Sequence, residues 1–291
     1  MLLNSLAAAT ISKLVFMPLL PGFDESQICG ISSDGKAVVG YQTMKERKTA
    51  FVWDATRGLR NLEELSWNMW RAGMGPHEYD EKGDPIDRVG LKPNQIRWAR
   101  TVAFLAKPKV DLKNFRTPWF LGSSADGKTL FGNGISSKGE EGFVWTQASG
   151  AVGIGDLPGG FFYSRALALS PEGRWAAGCS KSFDGLTAVL WSKATGINPL
   201  RFKGQGKAIS RALCASLDAK TVGGEAETSI GFQAVLWLSR GEGELVAQLA
   251  GSKLPSGWVL SSVECVSDDG MAIAGTAQKD GKNRNWVAWL E

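Results

Sequence analysis

Histidine is almost missing: His77 is the single one in 291 residues. Chemistry that relays a proton through imidazole, or binds a metal with it, has one position to draw on, and no nucleophile motif accompanies it. Cysteine is scarce as well. Cys29, Cys179, Cys214 and Cys265 form no CxxC pair, so there is no zinc or redox signature, and they read as buried thiols that fill small apolar spaces. No apolar run approaches the ~18–20 residues of a membrane-spanning helix. Residues 1–12 read as a tail or short helix, because Met1–Thr10 contains an Ala7-Ala8-Ala9 run but no basic segment of a secretory signal. Nothing points to a cofactor.

Glycine and tryptophan are plentiful, at 36 and 12 residues. Many glycines imply many tight turns, and repeated tryptophan implies a recurring core position, the composition of an all-β chain. The recurrence is explicit. Ser32-Ser33-Asp34-Gly35, then Val38-Val39-Gly40, then Ala50-Phe51-Val52-Trp53 returns as Ser124-Ala125-Asp126-Gly127, Gly132 and Phe143-Val144-Trp145. Further copies centre on Glu172-Gly173 with Trp191, Asp218-Ala219 with Trp237, and Asp269-Gly270 with Trp289. The turn acid precedes its tryptophan by 19 residues in four copies and by 20 in the last, and in all five it precedes a glycine by six. Successive tryptophans lie 92, 46, 46 and 52 residues apart, so the first interval holds room for two units.

Each unit reads as four short strands. Asp-Gly suits a tight primed hairpin turn with φ > 0, a β-rich run ends at glycine, a third strand carries the tryptophan, and a short fourth strand follows. Four strands in about 46 residues is the length of a propeller blade, and one such sheet must stack on neighbours to bury its faces. The expected fold is an all-β β-propeller over residues 13–291, of six blades, with five blades and a long insertion as the alternative. The run Lys13–Leu19, followed by Leu20-Pro21-Gly22, resembles the fourth strand before Leu157-Pro158-Gly159. It is expected to pair with the C-terminal blade and close the ring.

With these motifs in view, the chain resembles the HAF-repeat family of bacterial proteins over most of its length outside 66–118. The histidine that the family places before Ala-Phe is replaced by Thr49, Glu141, Thr187 and Gln233. The resemblance implies a β-propeller-like fold, an extracellular or cell-surface location and no defined catalytic activity.

Residues 66–118 interrupt the repeat. Residues 88–116 carry eight bases against the single acid Asp111, whereas 78–87 carry five acids and one lysine. The acids Glu78, Asp80, Glu81, Asp84 and Asp87 could supply oxygen ligands to calcium, but their spacing is not that of an EF-hand. The repeat acids Asp34, Asp126, Glu172, Asp218 and Asp269 belong to turns of separate units and do not form a catalytic carboxylate pair. Aromatic residues interleave with the charges, and departures from a repeat collect on a binding face. The candidate partner contacts are Trp67, Trp70, Arg71, His77, Tyr79, Arg88, Lys92, Arg97, Trp98 and Arg100. The expected function is non-enzymatic binding or scaffolding of another protein. A carbohydrate-binding or carbohydrate-active axial pocket is the alternative, and no nucleic-acid motif is present.

Overall fold

The computed structural model describes residues 9–44, 47–61, 112, 114–202, 209–239 and 241–291. They form four-stranded antiparallel sheets, five among the described residues. Sheet I comprises β2 (Glu25–Ile31), β3 (Ala37–Met44), β4 (Arg47–Asp54) and β5 (Gly58–Asn61). Sheet II comprises β6 (Arg116–Ser123), β7 (Thr129–Ile135), β8 (Glu140–Thr146) and β9 (Gly150–Gly153). Sheet III holds β10 (Ser164–Leu169), β11 (Trp175–Ser182), β12 (Gly185–Ser192) and β13 (Gly196–Pro199). Sheet IV holds β14 (Ser210–Ala215), β15 (Thr221–Thr228), β16 (Gly231–Leu238) and β17 (Glu244–Leu245), followed by the short helix α1 (Val246–Ala250). Sheet V is composite: β18 (Val259–Val266), β19 (Ala272–Lys279) and β20 (Lys282–Leu290) are completed by β1 (Ile11–Phe16).

The sheets pack face to face in the order II, III, IV, V, I, and the first strands of neighbouring sheets touch one another. These first strands are therefore innermost in a propeller-like series. The cores lie between sheets: Val144 and Ile154 meet Ala176 and Trp191 between II and III, and Phe51 and Trp53 meet Val287 between I and V. β1 pairs antiparallel with β20, with Leu14 opposite Ala288 and Phe16 opposite Trp286, and Phe16 stacks on Trp258 at 3.8 Å. The N-terminal strand thus lies where its sequence placed it, beginning two residues earlier, at Ile11.

The repeated Ser-x-Asp-Gly turn corrects one expectation. A two-residue primed turn would put positive φ on its central residues. Here the glycine is the fourth residue of the turn: Gly35 N–H donates to Ser32 O at 2.9 Å and Gly35 has φ +66°. Asp34 keeps negative φ because its work is done by the side chain, which accepts from Ser32 Oγ at 2.7 Å and from Lys36 N–H at 3.2 Å. Ser32 Oγ in turn accepts from Ala37 N–H at 2.9 Å, and the same serine-to-strand bond recurs at Ser124, Ser170, Ser216 and Ser267. In the third copy Glu172 is one methylene longer and pairs with Arg174 instead, at 2.7 Å. Successive turns are also stitched to one another. Ala125 N–H donates to Pro171 O at 2.7 Å, Leu217 N–H to Asp268 O at 3.0 Å, and Asp268 N–H to Ser33 O at 3.1 Å. Pro171 has no N–H to pass the series on to sheet IV.

The glycine six residues past the turn acid has a different cause. A Cβ on Gly178 would stand 1.9 Å from Arg165 O, and one on Gly40, Gly224 or Gly275 would meet the innermost strand's carbonyl at 2.1, 2.0 or 1.9 Å. The innermost strand comes so close because it bulges just beyond, skipping Cys29, Leu121, Leu167, Leu213 and Glu264 in the five ladders.

The last tryptophan of the repeat is out of register. Trp53, Trp145, Trp191 and Trp237 lie opposite Val38, Leu130, Ala176 and Val222, but their counterpart opposite Ile273 is Ala288. Trp289 is one residue on and so emerges from the other face of its sheet, which is why its spacing is 20 and not 19.

Candidate functional site

The turns just described occupy one end of the sheets. The opposite end carries the hairpins between second and third strands and the loops that lead into each innermost strand. The loop at 154–163 shows how this end is built. Ile154 N–H closes the ladder on Gly142 O, Gly155 N–H donates to Glu141 Oε1 at 2.9 Å, and Leu157 N–H donates to Ser180 Oγ of sheet III at 2.9 Å. Leu20 N–H donates to Gln42 Oε1 at 2.8 Å in the same manner, so Leu-Pro-Gly is the segment that crosses to the next sheet. Gly159 and Gly160, with φ of +101° and +82°, then fold the loop against the hairpin of β11 and β12. A Cβ on Gly159 would lie 2.5 Å from Phe183 N, so the approach demands glycine.

This folding leaves aromatic rings with nowhere to go but outward. Phe183 at 75%, Ile230 at 67% and Phe161 at 66% are the most exposed large apolar side chains among the described residues. All three sit at this end, Phe161 and Phe183 on sheet III and Ile230 at the corresponding hairpin of sheet IV. Cations lie over the rings. Lys181 covers Phe161 at 5.7 Å, Arg165 covers Tyr163 at 5.6 Å, Lys138 covers Phe162 at 5.6 Å and Arg211 covers Phe232 at 5.2 Å. Phe161 and Tyr163 meet edge to face at 6.0 Å.

The two arginines are fixed by acids. Arg165 Nε donates to Glu140 Oε1 at 2.6 Å across the II–III boundary, and Arg211 donates to Glu225 Oε1 at 2.6 Å on sheet IV. The hydrogen bond to Glu140 raises the pKa of Arg165, and burial raises that of the Tyr163 phenol, so neither changes charge near neutrality. The result is a preorganised apolar and aromatic surface with its arginines paired to acids, suited to recognition.

Deeper in, Glu264 is the one carboxylate among the bulged residues of the innermost strands. It accepts from Thr276 Oγ1 at 2.6 Å and from Ser262 Oγ at 3.1 Å, and burial raises its pKa. None of the four cysteines is in a disulfide; Cys179 and Cys214 are buried, but Cys29 is exposed where its strand bulges, which corrects the expectation of four buried thiols. Cys214 and Cys265 occupy equivalent places in their ladders, each four residues before the turn acid, and burial pushes Cys214 up to about 12.

The contacts expected from sequence, Trp67, Trp70, Arg71, His77, Tyr79, Arg88, Lys92, Arg97, Trp98 and Arg100, all lie outside the described residues, as do the five acids of 78–87. Among the described residues, no group of three histidine, cysteine or carboxylate side chains is placed to hold a metal ion, and no helix is long and apolar enough to cross a membrane. The loop end was missed in the sequence although two signals mark it. Phe161-Phe162-Tyr163 directly follows the Leu-Pro-Gly-Gly motif, and Phe183 and Ile230 stand at hairpin tips, where polar residues are the rule.

Neither a family model nor a curated protein matches the chain. Solved structures give distant likenesses. A TolB from Agrobacterium tumefaciens is 11% identical with a TM-score of 0.41, over 97% of this chain and 90% of that one. The β-propeller domain of the Trilobed protease from Pyrococcus furiosus is 11% identical with a TM-score of 0.36, over 91% and 69%. TolB from Acinetobacter baumannii is 10% identical with a TM-score of 0.31 over 92% of this chain, which spans only 44% of that protein's length. Likeness at this level assigns no function.

Proposed function

We propose that this chain is a non-catalytic recognition or scaffolding β-propeller that docks another protein on its loop end. The observation that carries this reading is the gathering of Phe161, Phe183 and Ile230, the most exposed apolar groups described, at one end of adjoining sheets. Holding such groups in water is unfavourable by roughly 25 cal/mol per Å² of apolar surface, which a partner recovers by covering them.

Six blades and a closed ring belong to the same proposal. Sheets I and II are the two ends of the series, and the chain joining them, residues 62–115, has the length of one 46-residue unit with a few residues to spare. The HAF-repeat resemblance, with the extracellular or surface location it implies, stands beside this as a reading from motifs. The basic and aromatic stretch 66–118 would add to the docking end.

The test is affinity capture from the native source with wild type and with the double variant Phe161→Asp, Phe183→Asp, both checked for the same circular dichroism and melting temperature. Both side chains are already in solvent, so the variant folds. A stoichiometric partner held by wild type and lost from the variant is the expected result. A partner retained at full strength by the variant, or specific turnover of a glycoside panel by wild type, overturns the reading. Deleting residues 66–100 in parallel shows whether that stretch shares in the contact, by a loss of the same partner.

A further inference from the structure

Trp191 and Trp237 occupy the same register place in sheets III and IV, opposite Ala176 and Val222. Their surroundings differ. Between sheets III and IV the chain covers Trp237 with its own extended segment after β13. The indole N–H donates to Arg201 O at 2.7 Å, Gly243 N–H donates to the same carbonyl at 2.8 Å, and Phe202 pairs with Gly243 and packs into the core between those sheets. Between sheets II and III the corresponding segment turns away at Gly155, with φ +75°, to reach Glu141. No such segment crosses Trp191 among the described residues; its side chain, packed in the core between sheets II and III, keeps 6% of its surface in solvent, and its indole makes no hydrogen bond among the described residues. A cleft of about 530 Å³ remains there.

The walls of this cleft are informative. Val144, Val152 and Trp191 supply apolar surface. The equivalent outer turns of the two sheets bring hydroxyl pairs, Thr146 with Ser149 at 2.7 Å and Ser192 with Thr195 at 2.8 Å. Arg174 and Lys193 are the charged residues of the lining, and no acid is among them. The Arg174 guanidinium is engaged by Glu172, which leaves the Lys193 ammonium to seek a partner.

We propose that this cleft is a second binding site, at the turn end, for an extended segment of a partner protein. The segment places an aromatic or large aliphatic side chain against Trp191, a backbone carbonyl on its indole N–H, and a carboxylate beside Lys193. Arg201 O on the Trp237 indole is the molecule's own example of the second contact, with Phe202 packed against the same core. The third follows from charge, since Lys193, the lining cation that Glu172 does not engage, favours an acidic occupant. This site is independent of the loop end and stands whether or not that surface binds anything.

Fluorescence anisotropy with the full chain tests it, using a fluorescein-labelled hexapeptide Glu-Ser-Phe-Ser-Glu-Gly as probe. Two control peptides carry lysine for both glutamates or alanine for the phenylalanine. Wild type should bind the probe at least about tenfold more tightly than either control. Lys193→Glu should lower affinity for the probe about tenfold and raise it for the lysine peptide. Ala194→Trp, an exposed position on the lining, should block the cleft without touching the core. Phe183→Asp should change nothing. Failure of wild type to bind the probe, equal binding of all three peptides, or undiminished binding by Ala194→Trp would each overturn the proposal.

Discussion

Replacing Gly178 with alanine is the sharpest test of how these sheets are held. The added methyl carbon would stand 1.9 Å from Arg165 O, 3.0 Å from Arg165 C and 3.2 Å from Ala166 Cα. Even a favourable carbon–oxygen contact needs about 3.3 Å, so the innermost strand must retreat by roughly 1.4 Å. That retreat strains the ladder between β10 and β11 and disturbs the seating of Ala166 against Asn133, whose Oδ1 accepts from Ala166 N–H at 2.9 Å. Backbone displaced by overpacking costs about 1–3 kcal/mol, and because no flexible side chain can yield here we expect the upper end, about 3 kcal/mol. At roughly 2–4 °C per kcal/mol for a chain of this order of size, the melting temperature should fall by about 6–12 °C. Urea denaturation and a thermal melt give the two numbers. Gly196→Ala is the control, since its φ of +68° carries strain but no atom lies within 4 Å of the new Cβ, and it should cost only about 1–2 kcal/mol. A Gly178→Ala protein as stable as wild type, or more stable than Gly196→Ala, would refute the close-approach argument.

Other outcomes follow from the same geometry. Ser267→Ala removes the hydroxyl that accepts from Ala272 N–H at 2.9 Å and donates to Asp269, and should lower stability by about 1–3 kcal/mol in urea. The turn carboxylates of Asp34, Asp126 and Asp218 are held below their ordinary pKa, the first two chiefly by the serine hydroxyl of their own turn and the third by Lys220 N–H. A depressed folded pKa gives stability that is complete above the unfolded value of about 4 and drains away as pH falls through the folded one. Urea midpoints should therefore drop between pH 4 and 2, and less steeply in the triple Asp→Asn variant; identical slopes would sink this reading. Burial pushes the Cys179 thiol up to about 11 and Cys214 to about 12, and raises Cys265 too. Cys29 is exposed, so a thiol reagent at pH 8 should modify one cysteine quickly in the folded protein and four after unfolding. A second fast thiol would contradict the packing.

Much of this architecture could be read from spacing because its constraints are local. Asp126 and Gly127 act within their own turn, and the pairing of Leu14 with Ala288 follows from where β-patterned segments were missing a partner. What escaped the reading depends on register or on neighbouring sheets. Trp289 looks like the fifth copy of a pattern, yet one residue of slip puts it on the opposite face and hands its place to Ala288. The glycine after each turn could be seen to recur, but its reason lies in a carbonyl 13 residues earlier on another strand, as with Arg165 and Gly178. The exposure of Phe161 and Phe183 depends on Gly159 and Gly160, which fold the loop against the neighbouring hairpin. Broken periodicity marks residues 66–118 in the sequence, whereas exposed tips leave the period of a regular unit unchanged.

The composite sheet has a mechanical consequence. Thr10 and Glu291 exchange backbone hydrogen bonds at 3.2 and 2.9 Å, so the two strands that join β1 to β20 begin their ladder side by side. Tension applied between these two residues would load the rungs one at a time, peeling Ile11 from Leu290 first, and would not stress them all in parallel. Anchored at those points, the molecule would yield like a zipper, with Ile11, fully buried in the core between sheets IV and V, the first side chain drawn out.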